Sequence, residues 1–457
     1  METIVAISTA MGNGGIGIIR MSGKESFKVL ERIFKPKNNK FDDIKGYNIK
    51  FGYIINSETH EIIDEVLVSF FKSPKSYTTE DMCEINSHGG IIVQKLILEQ
   101  CLKNGASLAE PGEFTKRAFL NGRIDLSQAE SVIDLINSRT EKEAKASITQ
   151  LEGNLSKKIE EIRSDLLDIM SDIEATIDYP EYDIEEVTND KAADELSNIL
   201  EKLDILEKSF ETGKMLKEGI KTIIIGKPNS GKSSLLNLIL NEERAIVSDI
   251  AGTTRDTIEE YINLKGIPLK LIDTAGIRDT KDEIEEIGVN KSINLVDKAD
   301  LIISIFDNSK ELEKEDYKIL KMIKNKNSII VLNKNDLGKH ILDENEEILK
   351  LNIPIVKMSI KFGDGIQDLY KNIIDIFNME NIELDNSMVI TNVRHKNQIK
   401  KAKNDVQQAI DTISQRLPID IIGIYIKEAL IDLGTITGQN VSEDIINEIF
   451  SKFCLGK

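Results

Sequence analysis

At 457 residues the chain is long enough for about three domains with separate cores, which excludes one small rigid module. Fifty-nine Lys and Arg against 78 Asp and Glu leave a net charge of −19, so attraction to polyanions is weak and an RNA partner calls for a local basic patch or a second protein. Aromatic content of 5% with no Trp argues against stacking platforms for single strands, and Cys83, Cys101 and Cys454, with no C-x-x-C, argue against a disulfide framework or a zinc site.

Residues 3 to 121 mix short β-rich runs (Thr3 to Ala10, Ile16 to Met21, Glu65 to Phe71) with helical stretches such as Gly90 to Lys103, an α/β or α+β pattern. Gly12 to Gly17 formally matches G-x-G-x-x-G, but Ile18, Ile19, Arg20 and Met21 continue as strand where a dinucleotide site needs a helix, so that reading is rejected. From Leu126 to Ile177 there is no Pro and a single Gly, Gly153; Leu151, Leu155, Ile159, Ile162, Leu166, Ile169 and Ile173 recur at helical spacing. Ser127 to Glu130 has the form of a capping box, and the acidic turn 178–190 separates a further helix running to about Glu211.

The texture changes at Gly219. Ile220 to Ile225, Pro268 to Ile272, Leu301 to Phe306, Ser328 to Leu332 and Ile353 to Met358 are short β-branched runs alternating with helical segments, which predicts a parallel sheet with crossover helices. After about residue 380 the pattern is helical again, broken at Pro418 and Gly434. The fold expected is multidomain α/β plus all-α: an N-terminal α+β domain and a split helical domain, with a Ras-like doubly wound domain inserted into it. No run reaches 18 apolar residues and the N-terminus lacks a signal or transit pattern, so a soluble, unprocessed cytoplasmic protein is expected.

Gly226-Lys-Pro-Asn-Ser-Gly231-Lys232-Ser233 fits G-x-x-x-x-G-K-[ST] between a strand and a helix. Its glycines admit backbone amides to phosphates, Lys232 places a point charge near the β and γ oxygens, and the Ser233 hydroxyl can ligate Mg²⁺. Asp273 to Gly276 forms D-x-x-G after a strand, where the carboxylate can hold the magnesium shell and the glycine amide can meet the γ-phosphate. Asn333-Lys334-Asn335-Asp336 follows another strand, and the Asp336 carboxylate can accept from N1 and N2 of guanine, a donor pair adenine lacks. Three motifs in this order and spacing specify a GTP-binding domain. Ile277 stands where Ras-type enzymes carry a Gln and cannot orient water; on the residues alone Asp282, Glu283, Glu285 and Glu286 read as a solvated acidic face before a helix.

Ala251 to Asp256, with its G-T-T-R-D switch, resembles the TRAFAC class of GTPases and, within it, the MnmE (TrmE) family of tRNA modification GTPases. The resemblance continues in Gly14 to Gly23, Tyr77 to Glu84, Ser87 to Gly90, Pro111 to Asn121, Arg123 to Glu130 and Phe453-Cys-Leu-Gly-Lys457, and so covers the whole chain. It implies a formyl-tetrahydrofolate-binding-like dimerisation domain (1–121), a helical domain (122–216 and 380–457) and a G domain (217–379). The GTP contacts it implies are Asn229, Ser230, Gly231, Lys232, Ser233, Ser234, Ser248, Thr253, Thr254, Asp273, Gly276, Asn333, Lys334, Asp336 and Ser359, the last in Ser359-Ile360-Lys361, where Ile360 replaces a small residue. Ser233 and Thr254 then hold Mg²⁺, Asn229, Ser248, Ile250 (through its carbonyl) and Thr253 hold K⁺, and Glu285 positions the attacking water beside Lys232.

Arg20, Glu84, Arg123 and Lys457 match the family's 5-formyl- or methylene-tetrahydrofolate contacts, and Cys454 is open between a nucleophile and a packing residue. The activity implied is potassium-activated GTP hydrolysis, performed by a homodimer together with an FAD- and NADH-dependent subunit, that adds a (carboxymethyl)aminomethyl group to C5 of the tRNA wobble uridine. The competing reading is a ribosome-assembly GTPase that binds rRNA, against which stands the absence of a basic RNA-binding module. A membrane-remodelling GTPase is a weaker competitor, since no basic amphipathic anchor is present.

Overall fold

The computed structural model describes residues 2–37, 47–178, 185–242, 260–272, 296–338, 340, 342–343, 345–377 and 389–457, with the backbone alone for 185–188, 241–242 and 260. It forms two compact units, one of Met1–Ile133, Gln150–Leu200 and Lys401–Lys457, the other of Asp134–Thr149 and Glu201–Lys400.

In the first unit, β1 (Ile4–Ile7), β2 (Ile16–Ser22), β3 (Phe34–Pro36), β4 (Tyr47–Ile55), β5 (Ile62–Phe71), β6 (Met82–His88) and β7 (Ser107–Leu108) form a seven-stranded sheet in the order β3-β4-β5-β6-β2-β1-β7. The pairs are antiparallel except β1 with β7, and the β2–β6 register sets Arg20 opposite Glu84. Helices Ser26–Ile33 and Ile91–Lys103 cover one face, burying Val29, Leu30, Ile33, Ile97 and Cys101 against Ile19, Met21, Val68, Phe70 and Ile85. The Gly12–Gly17 segment leads into β2, a strand, as the rejection of a dinucleotide site requires.

The helical stretch from Leu126 divides into Leu126–Asn137, Glu141–Leu151 and Asn154–Asp178, the second break falling at Gly153, whose φ is +82°. Leu155, Ile159, Ile162, Leu166, Ile169 and Ile173 are all buried. Burying an aliphatic side chain stabilises by roughly 1.5–3 kcal/mol, well above the at most about 0.7 kcal/mol that β-branched residues lose in helix propensity. The partner face is the helix Ile419–Thr437, which buries Ile422, Ile426, Ala429, Leu433 and Ile436; it starts after Pro418 as expected but runs through Gly434, the break falling instead at Gly438, whose φ is +99°.

Ser127 does not cap its helix. Asp125 does so, because its Oδ1 accepts from Gln128 N at 2.9 Å while Gln128 Oε1 accepts from Asp125 N at 3.0 Å. The reciprocal box therefore lies two residues earlier, and the fully buried Ser127 donates to Asp125 at 2.8 Å. The next long helix, Glu185–Glu218, outruns the expected end at Glu211 and stops at Gly219, with a φ of +77°. The expected acidic turn is shorter than 178–190: Asp178 ends one helix, the next begins at Glu185, and residues 179–184 lie outside the described residues.

The second unit holds β8 (Ile220–Gly226), β9 (Glu260–Leu264), β10 (Ile267–Leu271), β11 (Leu301–Asp307), β12 (Ser328–Asn333) and β13 (Ile355–Lys357) in the order β13-β12-β11-β8-β10-β9. All pairs are parallel except β9 with β10. Two apolar layers cover its faces: helices Lys232–Glu242 and Ile366–Ile376 contribute to one, and Leu320, Ile323 and Ile348 to the other. The strand order reverses beside β8, and a crevice at such a reversal is where ligands bind in open α/β sheets.

Candidate functional site

The loop Gly226–Gly231 joins β8 to the helix Lys232–Glu242 at that reversal. Asn229 holds a left-handed φ of +61°. Gly231 has a φ of +114°, and a Cβ there would lie 2.4 Å from the Asn333 amide nitrogen, so glycine is required by backbone and neighbour alike. Lys232 curls back over the loop, its Nζ donating to the carbonyls of Gly226 and Lys227 at 2.8 Å each. Burial holds its ammonium below the usual lysine range, which an anion placed nearby would reverse. Ser233 lies in the first turn of the helix, whose N-terminal end favours negative charge, and Ser234 is exposed.

The loop after β12 meets this one directly. Asn333 is buried; its amide donates to Ser230 O at 2.8 Å and its Oδ1 accepts from Ile360 N at 3.1 Å. Ser359 Oγ donates to Asp336 Oδ1 at 2.8 Å. Asn229, Ser230, Gly231, Lys232, Asn333, Lys334, Asp336 and Ser359 thus belong to one connected set of loops at the C-terminal ends of β8, β12 and β13. Ile360 is buried and contributes its backbone amide, so its bulk is accommodated in the core. Ser248, Ile250, Thr253, Thr254, Asp273, Gly276 and Glu285 lie outside the described residues.

A second group of charges converges in the first unit. Arg20 binds Glu84 Oε1 through Nε and NH2, each at 2.8 Å, and donates from NH1 to Gly456 O at 3.2 Å. The Tyr77 ring lies 5.5 Å from the Arg20 guanidinium and 4.4 Å from that of Arg123. Tyr77 is itself fixed through a 2.9 Å hydrogen bond to Thr115. The C-terminal tail is threaded into place: Ser8 Oγ donates to Gly456 O at 3.0 Å, and a Cβ on Gly456, whose φ is +83°, would lie 2.5 Å from Ile7 O. Burial, and then the Arg20 charge, hold the Lys457 ammonium below its ordinary value. Cys454 is exposed, with its carbonyl accepting from Gly112 N at 3.4 Å. Sequence reasoning missed Tyr77 as the ring that both arginines approach, because the three residues are far apart in the chain and no local pattern joins them.

The phosphate loop at the strand-order reversal and the base-recognition loop bonded to it define a P-loop GTPase. The chain matches the family model described as MnmE helical domain over residues 126–454 and the one described as GTP-binding protein TrmE N-terminus over residues 3–123. It belongs to the MnmE family of tRNA modification GTPases, and it is a GTP-hydrolysing enzyme. It is 51% identical over 457 residues to the tRNA modification GTPase MnmE of Acetivibrio thermocellus, covering 100% of this chain and 99% of that protein. The proteins of the same name from Finegoldia magna and Clostridioides difficile are 48% and 49% identical, with 100% of this chain covered in both and 100% and 99% of theirs. Among the described residues no helix is long and apolar enough to cross a membrane.

Proposed function

We propose that this GTPase drives the addition of a (carboxymethyl)aminomethyl group to C5 of the wobble uridine of certain tRNAs, acting as a cytoplasmic homodimer with an FAD- and NADH-dependent subunit. The observation that carries this reading is the convergence of Arg20, Glu84, Tyr77, Arg123 and the C-terminal tail, a second charged site that GTP hydrolysis alone does not need. Three cationic groups with one carboxylate suit a ligand with two carboxylates and a donor-bearing ring, as a tetrahydrofolate has. Arg20, Arg123 and Lys457 would hold the carboxylates and Glu84 the ring donors; the folate would supply the one-carbon unit. The exposed Cys454 thiol stands three residues before Lys457 and is available for chemistry there.

At the nucleotide, Lys232 and the loop amides bind the phosphates, and Asp336 with Ser359 receives guanine. Ser233, at the helix start, fits a hard cation through its hydroxyl and with Thr254 would hold Mg²⁺; Asn229, with Ser248, Thr253 and the Ile250 carbonyl, would hold K⁺. These ions supply charge neutralisation at the phosphates, where an arginine finger acts in other GTPases. Glu285 orients the water that Ile277 cannot. Residues 1–121 would form the folate and dimerisation domain, 217–379 the G domain, and 122–216 with 380–457 the helical domain.

Support for the homodimer comes from the outer face of β4 and β5, where Tyr47, Ile49, Phe51 and Leu67 are exposed and Phe51 pairs with Leu67 across the strands. Deleting the gene is expected to remove a C5-modified uridine from tRNA digests analysed by mass spectrometry. An unchanged nucleoside profile would shift the reading to ribosome assembly.

A further inference from the structure

β11 and β12 run parallel in a register that sets Asp307 opposite Asn333, so the two strand ends finish side by side. The last residue of β11 and the one that follows it grip the base-recognition loop residue by residue. Asn308 N donates to Asn333 O at 2.9 Å, Asp307 Oδ2 accepts from Lys334 Nζ at 2.6 Å, and Asn308 Nδ2 donates to Asn335 Oδ1 at 2.9 Å. Asn308 is fully buried and ties in two more neighbours, donating to Asp343 Oδ1 at 2.8 Å and accepting from Leu342 N at 2.9 Å. Asp307 is oriented in turn by Ser309, whose hydroxyl and amide donate to its Oδ1 at 2.6 and 3.1 Å.

The loop needs this grip. Lys334 has a φ of +68°, a left-handed conformation that a long side chain rarely adopts and that persists only where surrounding contacts impose it. From that turn the chain enters the short 3-10 segment Asn335–Leu337, which carries Asp336. The ammonium that would otherwise be free to swing is anchored on a carboxylate whose side chain is only 11% exposed. There a charge pair is screened less than at an open surface. Burial pushes the Asp307 carboxyl up, but the bonds from Lys334 and Ser309 outweigh it and hold the group below the usual carboxylate range.

We propose that Asp307 is a positioning residue that sets guanine selectivity: by anchoring Lys334 it holds the left-handed turn that presents the Asp336 carboxylate to the base. The inference rests on the reading of Asp336 as the guanine acceptor, and it adds a residue outside all three nucleotide motifs. Only the exocyclic amine at C2 distinguishes GDP from IDP, so the ratio of their affinities reports how well Asp336 is placed.

The test measures GDP and IDP affinities of the full chain by titration calorimetry. Asp307→Asn, nearly the same shape without the charge, is expected to weaken GDP by about tenfold and IDP far less, so that the ratio falls. Ser309→Ala, which leaves Asp307 charged but less firmly oriented, shifts the ratio the same way by a smaller factor. In GTP hydrolysis by Asp307→Asn, KM rises with little change in kcat, because the base is bound alike in ground and transition states. A wild-type GDP-to-IDP ratio in Asp307→Asn, whether both affinities stay or both fall together, overturns the proposal, as does a lowered melting temperature with that ratio intact. Should Asp307→Asn not fold, a wild-type ratio in Ser309→Ala overturns it instead. Asp336→Asn separates the two layers: if it keeps the ratio, the Asp336 reading fails and this inference with it; if it loses the ratio while Asp307→Asn keeps it, only the inference fails.

Discussion

The phosphate loop gathers its groups from eight consecutive residues, Gly226 to Ser233, whereas the cluster around Arg20 joins partners 436 positions apart, from β2 to Gly456. In the first case a strand, a turn and a helix start create the geometry locally, and backbone amides do much of the binding. In the second, β2–β6 register sets Arg20 opposite Glu84 and the last residues must find Ile7 and Ser8 before the charges meet. A site of the first kind tolerates change elsewhere in the fold. One of the second kind is exposed to every substitution that shifts its scattered parts.

Several variants sharpen or break that contrast. Lys232→Ala should lower GTP hydrolysis by about 10²–10³-fold, the usual loss when a donor to developing charge is removed, while folate binding measured by calorimetry stays at its wild-type value. Arg20→Ala should do the reverse, weakening 5-formyl-tetrahydrofolate by about 10–100-fold, since hydrogen bonds to charged groups contribute roughly 1.5–3 kcal/mol, with the hydrolysis rate retained. Loss of both activities in either variant would break the separation. Exchanging KCl for NaCl should slow hydrolysis by about tenfold or more, if K⁺ at Asn229 acts at the charge an arginine finger otherwise meets; equal rates would remove the ion from the account.

The pH dependence has a definite sign. Burial depresses the Lys232 pKa below 10.5, so the empty site gives up its proton first as pH rises, while a bound triphosphate restores the charged form. GTP binding must then take up a proton at alkaline pH, and affinity must fall as pH climbs through the lowered value. Calorimetry in two buffers of different ionisation enthalpy reads that proton directly. The smallest effect belongs to Asp125→Ala, which removes the helix cap and should cost about 1 kcal/mol in thermal unfolding, leaving the nucleotide site untouched.

Much of this molecule is legible in its sequence for physical reasons that also mark where reading stops. The β-branched runs from Ile220, Leu301 and Ser328 become β8, β11 and β12 because a strand buried on both faces reads as a nearly continuous apolar run. The Ile159 to Ile173 stripe is buried as its spacing requires. Spacing cannot say which side chains meet across elements, however. Asp307 to Ser309 is a polar run at the end of β11 that carries no motif, and only the β11–β12 register turns it into a clamp on Lys334 and Asn335. Ser127 fitted a capping pattern, but Asp125 and Gln128 offered an equally local pair two residues earlier, and burial of Ser127 decided between them. The Arg20 site was reached through resemblance alone, since nothing in the periodicity of β2 or of the last five residues points one at the other.

If one enzyme couples a nucleotide site and a one-carbon site to tRNA modification, each site must be intact for the modified nucleoside to form. A strain lacking the gene, complemented with wild type, Lys232→Ala or Arg20→Ala, tests it through mass spectrometry of tRNA nucleosides. Wild type alone is expected to restore the C5-modified uridine. Full restoration by Arg20→Ala, with the variant folded and expressed, would contradict it.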